Sequence, residues 1–415
     1  MNILSATVGS LIAAKLLAEL GLARLNEDNV RRNAGAVPEA FRAVISPEVY
    51  EKSIAYTLAK SKWNRWEMIV DTFVLLAALF SGFFPWFFAL ITDRFGNSVW
   101  AGAGFLFASG ILLAAPGLPF SWHAQFRLEE SFGFNTTTAL LWWMDRVKGL
   151  LLGLMLGFPL LALILKLIER AGDFWWLWAW GSILGFQLLL TVLAPVLILP
   201  LFNKFTPLPD GPLRERLLAL GKKTGFHART IQVMDGSKRS RHSNAFFIGF
   251  GRFRKIVLFD TLLQQLGETE LEAVLAHEIG HYKKRHIPKM LMASAAGLFF
   301  TFYALAWLLK RDWFFTTFGF PAGSAAPALL IFGLLSGILT FWASPFIHAL
   351  SRRFEYEADA FAAETMKENV SLIGALRSLN EKNLSNLTPH PWYSGFYYSH
   401  PALIERENAL RNRPG

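Results

Sequence analysis

The sequence predicts a multi-pass membrane protein built mainly from α-helices, with seven transmembrane helices and a small α+β domain on the cytoplasmic side. Three observations predict this architecture. The 415 residues are 53% hydrophobic and only 17% charged, whereas an average soluble domain carries about 25% charged residues. The apolar residues lie in long runs, and lysine and arginine concentrate in alternate loops. The absence of cysteine excludes a disulfide scaffold and a cysteine-ligated zinc finger.

The apolar runs are long enough to cross a bilayer, which requires roughly 20 mostly apolar residues. They are rich in Phe, Leu and Trp, and tryptophans lie near several of their ends. The first run contains Lys15 and Glu19, which lie four positions apart and so share a helical face that can point into a helix bundle. It lacks the basic start and cleavage site of a signal peptide, so we expect it to be retained. The seven predicted spans are 3–23, 67–91, 98–118, 147–168, 174–201, 289–309 and 325–350.

The positive charge predicts how these spans are oriented. Segments 23–65, 119–148, 203–289 and 351–415 hold most of the lysine and arginine residues, and the opposite loops hold only Arg94, Arg170, Lys310 and Arg311. The positive-inside rule therefore predicts an external or lumenal N-terminus and a cytoplasmic C-terminus. Topology and attraction to an anionic leaflet then explain most of the net charge of +10. Nucleic-acid binding is not expected, because neither a basic helix nor an RNA-binding aromatic motif is present.

Four regions follow from this pattern: 1–203 with five spans, a cytoplasmic region 204–288, the last two spans at 289–350, and a C-terminal region 351–415. Within the cytoplasmic region, a proline-rich linker precedes a predicted helix at 213–224. Alternating apolar residues then predict a small sheet, with strands at 230–234, 245–250 and 255–259. A helical pattern runs from Glu268 to about His286, and Pro288 indicates a bend before the sixth span.

This last helix carries the motif His277-Glu278-Ile-Gly-His281. Histidines four residues apart lie about 40° apart around a helix, so both imidazoles can reach one metal ion. Imidazole suits zinc, which lowers the pKa of its bound water to about 7. Glu278 can then take the proton of that water as a general base. His286 lies five residues past His281 and off its helical face, so no role is expected for it.

A catalytic zinc site needs a third protein ligand, and an acidic stretch after the seventh span supplies candidates. Its sequence is Ser-Arg-Arg-Phe-Glu355-Tyr-Glu357-Ala-Asp359. Glu355 and Asp359 are four residues apart, so one helical face can present a metal ligand and a carboxylate that holds a ligating histidine in its tautomer. Spacing alone leaves both Glu355 and Glu357 open as the ligand.

HEIGH followed by SRRFEYEADAFA resembles the Ste24-type CAAX prenyl proteases, the integral-membrane zinc metalloproteases of the M48 class. The stretches PLFNKFTPLPDGPLRERL, VMDGSKRSRHSNAFFIGFGRFRKIVLFDTLL, EESFGFNTTT and FYYSHPALIERENAL are also similar to that family, so the resemblance covers most of the chain. It implies seven helices that enclose a water-filled chamber, with one zinc ion per chain. It implies a metal site of His277, His281 and Glu355.

The same resemblance implies roles for further residues. Asp359 would support the metal ligands, Glu278 would be the general base, His400 would stabilise the oxyanion, and Asn244 would lie on the other side of the substrate. An extended peptide would bind along the strand formed by Ala245, Phe246, Phe247, Ile248 and Gly249, because proteases of this type pair substrate with an exposed strand edge.

The implied function is removal of the C-terminal tripeptide from prenylated proteins by a membrane zinc endopeptidase. The expected partners are a peptide or protein substrate, prenylated or not, and the lipid bilayer, with the enzyme as a monomer. A bacterial inner membrane is favoured, because the chain is compact and shows no ER-retrieval signal; the endoplasmic reticulum is expected if the source is eukaryotic. Two alternatives remain: an HtpX-like quality-control protease, and a channel or transporter in which HExxH is structural.

Overall fold

The structure, a computed structural model, describes residues 3–226, 230–248 and 255–412. Its helices in the first half of the chain are α1 (Ile3–Arg32), α2 (Pro47–Phe80), α3 (Phe83–Phe95), α4 (Val99–Ala114), α5 (Gly117–His123), α6 (Ala139–Leu152), α7 (Phe158–Arg170), α8 (Trp175–Leu193) and α9 (Leu199–Phe202). The later helices are α10 (Pro212–Lys223), α11 (Asp260–Gln265), α12 (Glu268–Lys283), α13 (His286–Leu309), α14 (Asp312–Thr316), α15 (Ala325–Met366), α16 (Val370–Lys382), α17 (Pro391–Tyr397) and α18 (Leu403–Arg411). The strands are β1 (Phe205–Pro207), β2 (Thr230–Met234), β3 (Ala245–Ile248) and β4 (Lys255–Phe259).

The predicted helical membrane architecture is confirmed. Within the described part of the chain, five helices are long and apolar enough to cross a bilayer, and the number rises to seven if two bent helix pairs each count as one span. All seven predicted spans coincide with these elements. The π-helical turns at Gly153–Gly157 and Ala194–Ile198 join α6 to α7 and α8 to α9 without breaking either span.

Two spans differ from the prediction because they are not straight. The axes of α2 and α3 differ by 54°, and those of α4 and the helix that follows it differ by 43°. At the first break, Gly82 has a φ of 77°, a left-handed conformation that glycine adopts without a steric penalty. At the second break, Pro116 precedes α5 and cannot continue the hydrogen-bond ladder of α4.

The predicted small sheet is present in the region between the fifth and sixth spans, with the strand order β1-β2-β4-β3. The β2–β4 pair is parallel, and the β1–β2 and β3–β4 pairs are antiparallel. Strand β1 was not predicted, because it is only three residues long and lies in the proline-rich linker. Its Pro207 is tolerated at the edge of the sheet, where a missing N–H leaves little of the ladder unsatisfied. Strand β3 forms the opposite edge of the described sheet.

Two buried apolar clusters hold the molecule together. One lies among the membrane helices and includes Phe105, Phe315 and Ile331. The other joins the sheet to α10, α12 and α16 and includes Leu258, Leu275 and Ile279. Lys15 and Glu19 form an ion pair of 2.7 Å on α1, and the Lys15 ammonium lies over the ring of Phe341, so the charged face of this span is turned toward α15.

The close packing of α12 against α15 positions the site. A Cβ atom at Gly280 would lie 3.0 Å from the backbone of Ala358, so a larger residue there would push the two helices apart. Helix α15 is 42 residues long, begins in an apolar segment and carries the acidic stretch to the face of α12. The predicted end of α12 near His286 is wrong: the helix ends at Lys283, Arg285 takes a left-handed φ of 58°, and α13 begins at His286.

Candidate metal centre

Two helices supply three potential metal ligands. His277 and His281 lie on one face of α12, and Glu355 lies on the facing side of α15. The ligand atoms of these three residues all lie within 4.8 Å of one another. The Nε2 atom of His281 is 3.3 Å from Oε1 of Glu355, and the Nε2 atom of His277 is 3.5 Å from Oε2. The acidic residue that the structure brings to the histidines is therefore Glu355.

The chemistry of this cluster fits a cation. The two Nε2 atoms lie 3.1 Å apart, so two ring lone pairs would face each other unless a proton or a metal ion lies between them. Glu355 is 4% exposed, and its Oε2 atom has no hydrogen-bond partner among the described residues. A buried carboxylate oxygen without a hydrogen-bond partner lowers the free energy of unfolding, and a bound cation would remove this penalty. Two imidazoles and one carboxylate are a donor set that zinc takes in catalytic sites.

Asp359 holds the first histidine in place. Its Oδ1 atom lies 2.8 Å from Nδ1 of His277, which leaves Nε2 of that ring directed at the cluster. Burial works against protonation of His277, but the neighbouring carboxylates of Asp359 and Glu355 outweigh it and raise the pKa of this imidazole to about 9. A proton and a cation therefore compete for the same nitrogen.

Arg406 of α18 neutralises the carboxylate of Asp359. The guanidinium makes two bonds, Nε to Oδ2 at 2.8 Å and Nη2 to Oδ1 at 2.5 Å. Its Nη1 atom also lies 3.7 Å from Oε2 of Glu355. Sequence analysis assigned no role to Arg406, although one signal was available. Arg406 lies on the same helical face as the buried residues Leu403 and Leu410, and a charged residue on an apolar face indicates a buried partner.

Glu278 follows His277 on α12 and is partly buried. Burial raises the pKa of its carboxyl above the usual range, while the positive charge of His277 and His281 works in the opposite direction. A carboxylate with a raised pKa beside a metal site is suited to accept a proton and release it again.

His400 comes to the cluster from the C-terminal region. Its Nε2 atom lies 3.5 Å from Oε1 of Glu355, and its Nδ1 atom lies 2.9 Å from Oγ of Ser399. The side chain is 65% exposed. It also forms part of the wall of a cavity of about 790 Å³, together with Arg406, His242, Glu129 and Lys60.

Strand β3, with Asn244 before it, lies against α12, the helix that carries His277 and His281. Asn244 is exposed immediately before β3, and its Oδ1 atom accepts a hydrogen bond from the backbone N–H of Ala245. The strand packs against α12 and pairs with β4 from Ala245 to Ile248. Gly249, the last residue of the predicted substrate strand, lies outside the described residues.

His286 was expected to lie away from the site, and the structure contradicts this. Its Nδ1 atom is 2.9 Å from Nδ1 of His281, and its Nε2 atom is 3.1 Å from Oε2 of Glu357. On one continuous helix, residues five apart would lie about 140° apart around the axis. The left-handed turn at Arg285 interrupts the helix and redirects His286 toward His281.

Comparison with known proteins agrees with this arrangement. Residues 27–204 match the family model described as the CAAX prenyl protease N-terminal region with five membrane helices. Residues 207–414 match the model of peptidase family M48. The two models together account for most of the chain.

Individual relatives match over nearly the whole length. A CAAX prenyl protease 1 homolog of Arabidopsis thaliana is 37% identical over 382 residues, which cover 90% of each protein. CAAX prenyl protease 1 of Saccharomyces cerevisiae is 37% identical, with 90% of this chain and 88% of the relative covered. The crystal structure of S. mikatae Ste24p superposes with a TM-score of 0.92 at 32% identity, covering 99% of both chains. The chain therefore belongs to the Ste24-type CAAX prenyl proteases of peptidase family M48 and is a membrane metalloendopeptidase.

Proposed function

We propose that this endopeptidase uses one zinc ion per chain to remove the C-terminal tripeptide from prenylated proteins. The observation that carries the proposal is the convergence of His277, His281 and Glu355 within 4.8 Å, with Glu278 next to them on α12. The relatives named CAAX prenyl proteases supply the substrate class. Membership of a peptidase family decides against a channel with a structural HExxH motif.

Two histidines and one glutamate hold the metal in this proposal. Two nitrogen donors and one carboxylate favour zinc over magnesium or calcium, which prefer all-oxygen sites. Bound there, zinc lowers the pKa of a coordinated water to about 7 and so supplies a nucleophile at neutral pH. Asp359, itself fixed by Arg406, keeps Nε2 of His277 available as a ligand.

The residues around the metal would carry the proton and the developing charge. Glu278 accepts a proton from the attacking water and passes it to the leaving amine. His400 donates a hydrogen bond to the oxyanion that forms on the peptide carbonyl, a role that its position 3.5 Å from Glu355 supports. Asn244 is proposed to hold the substrate from the other side.

The substrate peptide is proposed to add a strand to the edge of the sheet. Strand β3 is the outer strand of the described sheet, and it packs against the helix that carries His277 and His281. An edge strand offers unpaired N–H and C=O groups to an extended peptide. Residues Ala245, Phe246, Phe247 and Ile248, with Gly249 beyond them, would form this binding edge.

We assign a role to each of the four regions of the chain. Residues 1–203 and 289–350 form the seven-span membrane part and enclose the chamber, 204–288 contribute β3 and the HExxH helix, and 351–415 contribute Glu355 and His400. The polar cavity next to His400 has a volume of about 790 Å³, and this size supports the proposal that a short peptide can reach the site through it.

We further propose a cytoplasmic C-terminus, in a bacterial inner membrane or, in a eukaryotic source, the endoplasmic reticulum. The chain has no cysteine, so single cysteines introduced at exposed sites report topology without background labelling. An impermeant maleimide should label Asn97→Cys in intact cells and Glu368→Cys only after lysis. The reverse pattern would overturn the proposed orientation.

We also propose that the protein is a monomer. Light scattering of the purified protein measures its molar mass and so tests this proposal.

The decisive test of substrate class compares a farnesylated CAAX peptide with the same peptide lacking the lipid. Purified protein should release the tripeptide faster from the farnesylated form, and Glu278→Ala protein should release it from neither. Equal rates on both peptides would remove prenyl recognition and leave a general membrane endopeptidase of the quality-control type.

A further inference from the structure

We propose that His286 and Glu357 position the metal ligand His281, by fixing which of its ring nitrogens carries the proton. This inference rests on the metal site proposed above. Its starting point is the contact of 2.9 Å between Nδ1 of His281 and Nδ1 of His286.

A contact of this length between two ring nitrogens is a hydrogen bond, so one nitrogen carries a proton and the other offers a lone pair. His281 must keep the lone pair of Nε2 for the metal, which places its own proton on Nδ1. His281 is therefore the donor and His286 the acceptor. The proton of His286 must then lie on its Nε2 atom.

Glu357 accepts a hydrogen bond from this Nε2–H group. Its Oε2 atom lies 3.1 Å from Nε2 of His286, which is a normal N–H···O distance. Arg353 and Lys289 also face this carboxylate, Arg353 with Nε 3.2 Å from Oε1 and Lys289 with Nζ 3.8 Å from Oε2. They keep Glu357 charged and acceptor-only. The hydrogen-bonded series of side chains from Glu357 through His286 to His281 thus has a single consistent arrangement of protons.

The ring of His286 has little freedom to turn away from this arrangement. The residue is 3% exposed, and its imidazole stacks on Phe354 with ring centroids 4.2 Å apart and planes inclined by 9°. Phe354 precedes the ligand Glu355 on α15. Helix α15 therefore supplies one ligand and supports both histidines, His277 directly through Asp359 and His281 through His286 and Glu357.

Metal ligands held by such partners lose about 10- to 100-fold in metal affinity when the partner is removed. The test is the zinc dissociation constant of purified protein, measured by competition with a chromophoric chelator and without any peptide. His286→Leu keeps the volume but offers no acceptor, and it should weaken zinc binding by about 10- to 100-fold. His286→Asn places a carbonyl oxygen near the position of Nδ1, and it should restore most of the affinity.

Glu357→Met tests the outer end of the arrangement without disturbing a buried ring. It keeps the length of the side chain but offers no acceptor oxygen to His286, so it should also weaken zinc binding. Glu364→Met, at an exposed glutamate on the same helix, is the matched control and should bind zinc as the unmodified protein does. Melting temperatures of the zinc-free variants show whether each is folded. If His286→Leu fails to fold, the comparison of Glu357→Met with Glu364→Met decides.

Three results would overturn the inference: unchanged affinity in folded His286→Leu, equal losses in His286→Leu and His286→Asn, or unchanged affinity in Glu357→Met. The equal losses would indicate that the ring only fills space. These outcomes differ from failure of the metal site itself, in which the unmodified protein would bind no zinc at all.

Discussion

The Oδ1 atom of Asp359 lies 2.8 Å from Nδ1 of His277 and 2.5 Å from Nη2 of Arg406. One carboxylate oxygen therefore serves both a metal-binding histidine and a buried arginine. Arg406 is 8% exposed and Asp359 is 2% exposed, so neither charge is compensated by bulk water. Each of these two charges is therefore stabilised by the other, and the orientation of His277 depends on both residues.

Arg406→Leu should destabilise the fold strongly, because it removes the buried arginine that pairs with the carboxylate of Asp359. Breaking a buried ion pair by removing one partner costs about 3–5 kcal/mol. The measurement is thermal unfolding of detergent-solubilised protein in a chelator, so that metal binding does not contribute. The double variant Arg406→Leu with Asp359→Leu should unfold at a higher temperature than Arg406→Leu alone. A double variant that is less stable than the single one would contradict this coupling.

Glu278→Ala should abolish peptidase activity while the metal stays bound. The side chain is proposed to move a proton and not to bind the metal, so kcat should fall by at least about 100- to 10,000-fold at unchanged zinc content. Peptide cleavage and metal analysis on the same preparation measure the loss of activity and the retention of zinc. Glu278→Gln, which keeps the shape and loses the base, should be as inactive. A fully active Glu278→Ala protein would exclude Glu278 as the base.

The sequence predicted the membrane architecture and the HExxH pair because both are local and periodic. A run of about 20 apolar residues and a spacing of four are visible without any tertiary contact. The bends at Gly82 and Pro116 were not predicted, because the apolar composition continues through both of them. A hydropathy window reports length and polarity but not the direction of the helix axis.

The supporting residues were not visible in the same way. Arg406 lies 129 positions from His277, and no helical period links two elements that meet only in the folded protein. His286 was excluded on the assumption that α12 continues as far as this residue, whereas the left-handed conformation of Arg285 ends the helix first. The choice of Glu355 over Glu357 came from family resemblance, and in the structure Glu355 contacts His281 whereas Glu357 contacts His286.

Glu355→Ala should lose its metal, whereas Glu357→Ala should keep one zinc per chain when zinc is supplied in excess. Glu355 lies within 3.5 Å of both Nε2 atoms, so its removal leaves only two ligands. Glu357 contacts His286 and not the cluster, so its removal weakens affinity without removing a ligand. Elemental analysis after gel filtration measures the metal content. The opposite pattern would assign Glu357 as the ligand.

His400→Ala should lower kcat with little change in KM or zinc content. An oxyanion donor acts mainly in the transition state, and losing one costs about 100- to 1,000-fold in kcat. Steady-state cleavage of one peptide, with metal analysis in parallel, separates these quantities. His390→Ala is the matched control, because His390 lies in the same C-terminal region and accepts a hydrogen bond from the backbone N–H of Trp392. A change confined to KM would indicate that His400 only binds substrate.

Substrate peptides should be sensitive to N-methylation at alternate positions. A peptide paired with the edge of β3 directs every second N–H toward that strand, so methylation there removes a main-chain hydrogen bond and adds a clash. Losing one such bond costs about 1 kcal/mol, and the clash adds to it, so kcat/KM should fall by about 10-fold or more at these positions. Methylation at the intervening positions should have little effect, and these peptides are the matched controls because composition and length are identical. The measurement is cleavage of a series with one methyl group moved along the chain. A uniform loss across the series would show that the peptide does not bind as an added strand, and it would leave β3 as a structural edge only.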